Sequence, residues 1–337
     1  IIDNFSSLSW TRRYYDVGIF NLQITISDYM KIKNAKYIYS NSFIETAKIE
    51  AVKYINGVND INVQLSGRFL EILLNDRVIN NTQNLNNTTE NNCRNLVNNF
   101  AINPSVSSRK IPKVRLGEAH GLGKKYIMQV TGEELMTELY TLAKQDELSI
   151  RLRYDFVNDE IIFEVWQGLD RTDKQTTNTF AIFSRNFANI LDDNYSMDTT
   201  KQKNLAYDYG EGEGEQRFLI EVDNTNGKER KELYVDARDL QQDDMTLNEY
   251  KDALRNRGIE KLNECNKVET SDFQIDPFSN LIYGKDFDLG DLCTYKNEEL
   301  GILIDNRIVE ISEVYENGNK KIDVIFGDDY NLKGVIA

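Results

Sequence analysis

The stretch from Tyr283 to Gly327 commits the chain to paired β-strands. Ile322, Val324 and Phe326 recur with the period of two that places them on one face of a strand. Ile302, Ile304, Ile308 and Ile311 mark a second strand, which must bend near Asp305-Asn306. Between the two, Glu316-Asn317-Gly318-Asn319 predicts a hairpin, because Asn-Gly accepts the positive φ of a type I′ turn. Leu292 and Thr294 begin a third strand after an acidic turn, Asp286-Phe287-Asp288-Leu289-Gly290-Asp291. This is barrel-like β architecture, and no catalytic residue stands out in it.

Residues 1–86 read mainly as β. Phe20, Leu22, Ile24 and Ile26 alternate with polar residues. A strand over Phe43–Ile55 turns at Asn56-Gly57 and returns through Ile61, Val63 and Leu65. A short helix is expected over Phe69–Asn75. The Asn/Thr-rich run Asn80–Asn92 reads as a linker, and a helix follows over Thr89–Phe100. Residues 103–125 read as loop. Thr131 and Glu134 have capping-box spacing ahead of an amphipathic helix carrying Leu135, Met136, Leu139 and Leu142. The hairpin Ser149–Tyr154 and Glu160–Trp166 completes a small α+β unit over 87–168. From 169 onward the pattern is β again: Thr179–Arg185, a polar stretch through Lys203, then Asn204–Tyr209, Arg217–Val222 and Lys231–Val235. A helix over 247–267 interrupts it.

At 337 residues the chain has room for about two cores. Its net charge of −15 opposes nucleic-acid and anionic-membrane surfaces, which need clustered Lys and Arg. No apolar run reaches the roughly 18 residues of a membrane span, and no leader pattern opens the chain. Three cysteines, Cys93, Cys265 and Cys293, are scattered without a CxxC pair, so neither a disulfide framework nor a zinc site is expected. His120 is the single histidine, which removes His-rich metal sites and leaves any Ser/His/Asp mechanism resting on one loop residue.

Four motifs invite chemistry. Gly117–Lys125 half-matches a phosphate-binding loop, but Glu118 and Lys125 stand where Gly and Ser/Thr are required, so a flexible connecting loop is expected. Gly210-Glu211-Gly212-Glu213-Gly214 has the wrong spacing for a dinucleotide fingerprint. Glu211 and Glu213 on one strand face would stand roughly 6–7 Å apart, inside the glycosidase range, but so rich an acidic complement produces such pairs by chance. The expectation is a bulge or close backbone crossing allowed by the glycines. Asp286, Asp288 and Asp291 suggest calcium, yet the EF-hand pattern fails, with Gly290, Asp291 and Asn297 at its fifth, sixth and twelfth positions. Arg12, Arg13 and Tyr14 near Trp10 form an exposed recognition patch, a subunit contact, or an edge strand with its apolar halves packed. No cofactor or metal is expected.

Four segments together resemble the tail and baseplate hub proteins of Gram-positive siphophages, defective prophages and phage-tail-like bacteriocins. They are Ile2–Trp10 with Arg13-Tyr14 and Gly18-Ile19-Phe20; Gly67-Arg68 with Leu73-Leu74 and Arg77-Val78-Ile79; Gly210–Gly214 with Arg217 and Glu232–Leu240; and Asp286–Asp291 with Phe326-Gly327. Gly168–Arg171 also fits the pattern, and the opening reads as clipped by a few residues. The resemblance implies two tube-like β-barrel domains, 1–86 and 169–337, around the α+β domain 87–168, with a helical insertion near 247–267. It implies a homotrimeric, non-enzymatic hub at the tail tip or baseplate, assembled in the bacterial cytoplasm, that adapts a six-fold tail tube to a three-fold spike or tip. Its partners would be tail-tube, spike and baseplate proteins. The structural positions it marks are Trp10, Arg13, Tyr14, Gly18, Gly67, Arg68, Arg77, Asp170, Arg171, Gly210, Gly212, Gly214, Arg217, Glu232, Asp236, Arg238, Asp286, Asp288, Gly290, Asp291 and Gly327. The alternatives are a tail-associated cell-wall hydrolase and a host-surface-binding module.

Overall fold

The computed structural model describes residues 2, 5–56, 61–316 and 318–327. The expected Asn56-Gly57 turn, Asn317 of the hairpin turn, and Asp3-Asn4 of the opening segment lie wholly or partly outside them. The first elements are β1 (Ser7–Arg13), β2 (Ile19–Thr25), α1 (Ile26–Ile32), β3 (Tyr37–Tyr39), β4 (Thr46–Asn56), β5 (Ile61–Phe69) and α2 (Ile72–Asn75). Then come β6 (Gln83–Thr88), α3 (Thr89–Val97), β7 (Val114–Leu116), β8 (Lys125–Val130), α4 (Leu135–Lys144), β9 (Ser149–Asp155) and β10 (Glu160–Trp166). The remainder is β11 (Ile182–Phe183), β12 (Ile190–Asp198), β13 (Leu205–Tyr209), β14 (Leu219–Asp223), β15 (Glu232–Asp236), α5 (Leu247–Glu264), β16 (Val268–Ile275), β17 (Leu292–Asn297), β18 (Ile302–Glu316) and β19 (Asn319–Gly327). The chain is thus mostly β.

One large sheet joins the two ends of the chain. Its path is β12-β16-β19-β18-β1-β2-β5-β4-β3, with β11 and β17 attached through β18. β1 lies between β2 and β18, antiparallel to both, so the first strand is interior and not an edge. β18 bonds β17 over Ile302–Arg307 and β19 from Ile308 onward, with a register shift between Ile308 and Glu310. The sequence-expected bend falls beside this change of partner. The remaining strands form three smaller sheets, β7-β10-β9, β14-β13-β15 and β6-β8.

Apolar residues divide accordingly. One core runs from Trp10, Phe20 and Leu65 through Leu96 and Leu139 to Phe163, so the first β segment and the α+β segment share it. A second gathers Tyr14, Phe183, Phe273, Phe287, Tyr295, Ile308 and Phe326. Tyr250 and Leu254 of α5 pack with Ala237 and Leu240, and Leu262 packs against Val222 and Val235.

Several expectations are corrected. Asn80–Asn92 is not a linker. Gln83–Thr88 pairs with β8, and Thr88 caps α3 by accepting from Asn91 N. Asparagine runs are poor strand formers, but here the partner strand supplies the hydrogen bonds. The loop 103–125 contains β7, parallel to β10. Thr131 and Glu134 form no capping box, because this segment is pinned by backbone bonds to Arg77 and Ile79, and Glu134 caps α4 without a side-chain bond. The reciprocal box forms instead at Thr246 and Glu249 of α5. The polar stretch before Lys203 holds β12, and α1 and β16 arise where no element was expected.

Gly67 shows how closely the main sheet is built. A register shift between Ile49 and Ala51 bulges β4 against it, and a Cβ at Gly67 would lie 1.9 Å from the Lys48 carbonyl oxygen. That contact is backbone and cannot swing away. Gly67→Ala is expected to lower stability by roughly 1–3 kcal/mol in urea unfolding, while Ser66→Ala changes it by less than about 0.5.

Candidate functional site

β1 and the residue that follows it place Trp10, Arg12 and Tyr14 on one face, because side chains alternate along an extended chain. Trp10 enters the first core, stacked on Phe43 at 5.3 Å. Tyr14 enters the second core, edge-on to Trp166 at 4.9 Å. Arg12 sits between them, buried. Its Nε donates to Glu45 Oε1 at 2.7 Å, and its Nη1 donates to Asp288 Oδ1 at 2.5 Å and Tyr283 Oη at 2.9 Å. Burial opposes the guanidinium charge, but Glu45, Tyr283 and Asp288 outweigh it and hold Arg12 protonated.

The acidic turn behind Asp288 continues the network. Asp291 accepts from Leu169 N at 2.7 Å, Arg171 Nε at 2.6 Å and Asp288 N at 2.9 Å. Gly290 has φ +82, and a Cβ there would meet the Tyr14 ring at 2.4 Å. Arg307 donates to Gly290 O at 2.5 Å and Glu147 Oε2 at 2.6 Å, and its guanidinium lies 5.5 Å from the Tyr14 ring centre. The Tyr14 hydroxyl bonds Glu147 O at 3.0 Å, and Ser149 donates to Tyr14 O. Burial raises the Tyr14 phenol to about 12. β1, the β9–β10 hairpin and the 286–291 turn are therefore tied at one junction. Beside it lies a cavity of about 420 Å³ lined by Arg12, Glu45, Glu71, Tyr283, Asp288 and Glu313. Burial lifts the Glu71 carboxyl to about 7, while its Oε1 accepts from Leu152 N at 2.7 Å.

A second constellation surrounds Gly210–Gly214, which is a turn and not a strand, so Glu211 and Glu213 do not share a strand face. Arg217 donates to Gly210 O at 3.1 Å, Asp236 Oδ1 at 2.9 Å and Tyr234 Oη at 3.0 Å, and Arg238 binds Asp236 at 2.6 Å. Glu232 pairs with Arg230 at 2.7 Å. Gly210 abuts the Tyr250 hydroxyl, which accepts from Glu211 N at 2.8 Å. Gly212 and Gly214 take positive φ within the turn.

Other marked positions bond locally. Arg13 pairs with Glu310 and Arg68 with Glu50, each at 2.7 Å. Arg77 donates to the Arg109 carbonyl. Asp170 accepts from Thr172 N at 2.9 Å, and Asp286 from Ile282 N at 2.9 Å. Gly18 and Gly327 allow close approach of Phe69 and the Glu269 carbonyl. Asp286, Asp288 and Asp291 thus accept from three different sets of protein donors. The loop 117–125 does wrap a carboxylate with its amides, but an internal one. His120 N and Leu122 N donate to buried Glu90 at 3.0 and 2.8 Å, so the loop is anchored and not a free connector. Burial raises the thiols of Cys93 and Cys293, which makes both poor nucleophiles. Glu45, Glu147, Tyr283 and Arg307 were missed by sequence reasoning, since isolated polar residues carry no periodic signal.

A family model described as Siphovirus ReqiPepy6 Gp37-like protein matches residues 1–328. The chain belongs to that family. No curated relative matches it. The tail protein from Neisseria meningitidis MC58 is 13% identical, with 97% of this chain and 93% of that chain covered and a TM-score of 0.61. Prophage tail protein gp18 from Listeria monocytogenes EGD-e is 12% identical, with coverage of 100% and 93% and a TM-score of 0.60. The 43 kDa tail protein of prophage MuSo2 from Shewanella oneidensis is 13% identical, with coverage of 96% and 94% and a TM-score of 0.56. At such identities the likeness is one of fold. The resemblance to phage tail proteins read from the sequence holds for this Gp37-like chain.

Two predictions follow from the junction. Arg12→Met strands the largely buried Glu45 beside a low-dielectric core, while Asp288 keeps contact with solvent, and is expected to cost roughly 2–4 kcal/mol in chemical denaturation. Adding Glu45→Met and Asp288→Leu should recover a large part of that loss. Because folding raises Glu71 from near 4.5 to about 7, the folded state binds its proton more tightly than the unfolded chain. The resulting stabilisation is complete below the lower value and lost as pH rises through the upper. Glu71→Gln should flatten the stability profile between these values by roughly 1–3 kcal/mol, measured by unfolding at a series of pH values.

Proposed function

We propose that the chain is a structural, non-enzymatic hub of a phage or phage-tail-like particle. Three copies form a ring that adapts a six-fold tail tube to a three-fold spike or tip. The observation that carries this reading is the family match over residues 1–328, supported by the full-length fold shared with tail proteins of Neisseria and Listeria. In this reading residues 1–86 and 169–337 act as two tube-like β-barrel units per copy, giving six quasi-equivalent positions per trimer. The α+β unit 87–168 and helix α5 serve as outward elaborations. A heterologous interface closing after three copies is the physical form of such a ring.

The interior chemistry supports a scaffold. Arg12, Arg171 and Arg307 are engaged with Asp288, Asp291 and Glu147, so their charges hold strands together. The residues marked by resemblance act, in this proposal, by fixing the shape that subunit contacts require.

Co-expression with the tail-tube and spike proteins of the same gene cluster tests the proposal. A complex containing three copies of this chain, stacked on a six-fold tube in class averages, is expected. A monomer that binds neither partner while degrading cell wall would contradict it.

A further inference from the structure

The two ends of the main sheet carry opposite charge. β3 and β12 each have a single strand neighbour, β4 and β16 respectively, which leaves one side of each strand's backbone unpaired in the sheet. The β3 margin is basic and aromatic. Lys33 and Lys36 precede β3, and Lys53 and Tyr54 lie on the stretch of β4 past its pairing with β3; the three lysines are exposed and form no ion pair among the described residues. Tyr37, Tyr39 and Tyr54 are exposed as well, with the Tyr39 ring against Phe156 at 4.4 Å. The β12 margin is acidic. Among the described residues, Asp192 and Asp198 of β12 and Asp272 and Asp276 on and after β16 accept from neutral donors, namely Gln274 N, Thr200 N, Asn194 Nδ2 and Phe278 N, while exposed Lys201 follows Asp198 at the end of the strand. Leu191 and Met197 are exposed among them. Asp193 is excluded from this set, because it is paired with Arg185.

The geometry points to a head-to-tail contact between copies of this chain, in which the β3 margin of one copy lies against the β12 margin of the next. The inference rests on the ring proposed above and supplies its interface. Exposed lysines on an edge strand ordinarily keep it from pairing with other edges. Here β3 against β3 sets the lysines that flank each β3 against one another, and β12 against β12 sets aspartate against aspartate. Only the mixed pairing brings opposite charges together, so it is selected both by attraction and by repulsion in the alternatives. A contact between two different surfaces of identical chains is heterologous, and such contacts generate rings when the rotation closes. The exposed Tyr37 and Tyr39 supply apolar area at one margin, and Leu191 and Met197 supply it at the other.

Charge reversal tests this in the complex formed with the tail-tube and spike proteins. One variant carries Lys33→Glu, Lys36→Glu and Lys53→Glu; another carries Asp192→Lys, Asp198→Lys and Asp272→Lys; a third carries all six. Each single set is expected to lower the yield of three-copy complex by about tenfold, measured by solution mass at low ionic strength. The six-fold variant should restore it, which a merely misfolded chain would not do. A wild-type ring unaffected by either set would overturn the edge contact while leaving the hub reading intact. Three-copy rings that form but lose the tube protein would also overturn it, by assigning these margins to the tube protein. A wild-type chain that forms no multimer with those partners would remove the hub reading and this interface with it.

Discussion

Strand β1 is the constraint on which the other elements depend. It hydrogen-bonds β2 on one side and β18 on the other, so residues near the start of the chain and residues 310–316 occupy adjacent places in one sheet. Its inward face, continued by Tyr14 just past its end, also crosses both principal cores, with Trp10 in one and Tyr14 in the other. The period of two along a strand turns three alternate residues into a connection between packing units far apart in sequence. Without β1, β18 and β2 would each present an unpaired edge, and the sheet would divide at its centre.

The junction between the cores is polar, which has an energetic consequence. A buried cation such as Arg12 is tolerable only because carboxylates and a phenol compensate it, and apolar residues of similar volume would often serve stability as well. What the ionic arrangement adds is geometry. A guanidinium directs its donors along fixed lines, and Arg12, Arg171 and Arg307 each reach a separate part of the 286–291 turn or its neighbours. The turn is thereby held against β1 and against the β9–β10 hairpin at once. A scaffold that must present repeated surfaces at defined angles gains from such directional bonds.

Much of the β framework was legible from period-two alternation, because Val324 and Phe326 are buried and Ile322 half-buried on one face of the strand. The hairpin β9–β10 and helix α5 were readable for similar reasons, the second from spaced apolar residues. The missed elements share a different physics. β6 is rich in Asn, and β12 mixes Asp, Asn and Ser with Ile190, Leu191, Tyr195 and Met197, so that their strand conformation comes from partners at β8 and β16 more than from a clean alternation of their own. The Thr131–Glu134 signature failed for the opposite reason, since backbone pairing with residues 77–79 overrode a local motif. At the junction, Tyr14, Asp288 and Asp291 were marked by resemblance, but Glu45 and Glu147 were invisible because only the fold brings them to Arg12 and Arg307. The carboxylate bound by the 117–125 loop was hidden in the same way, at Glu90.

Native-state hydrogen exchange read by mass spectrometry tests the role of β1 most directly. The account predicts that β1, β2 and β18 amides exchange slowest and together, with both cores opening in one cooperative step as denaturant rises. Exchange of residues 268–327 in a separate, earlier step, with β1 and β2 still protected, would show that the strand does not join the two cores.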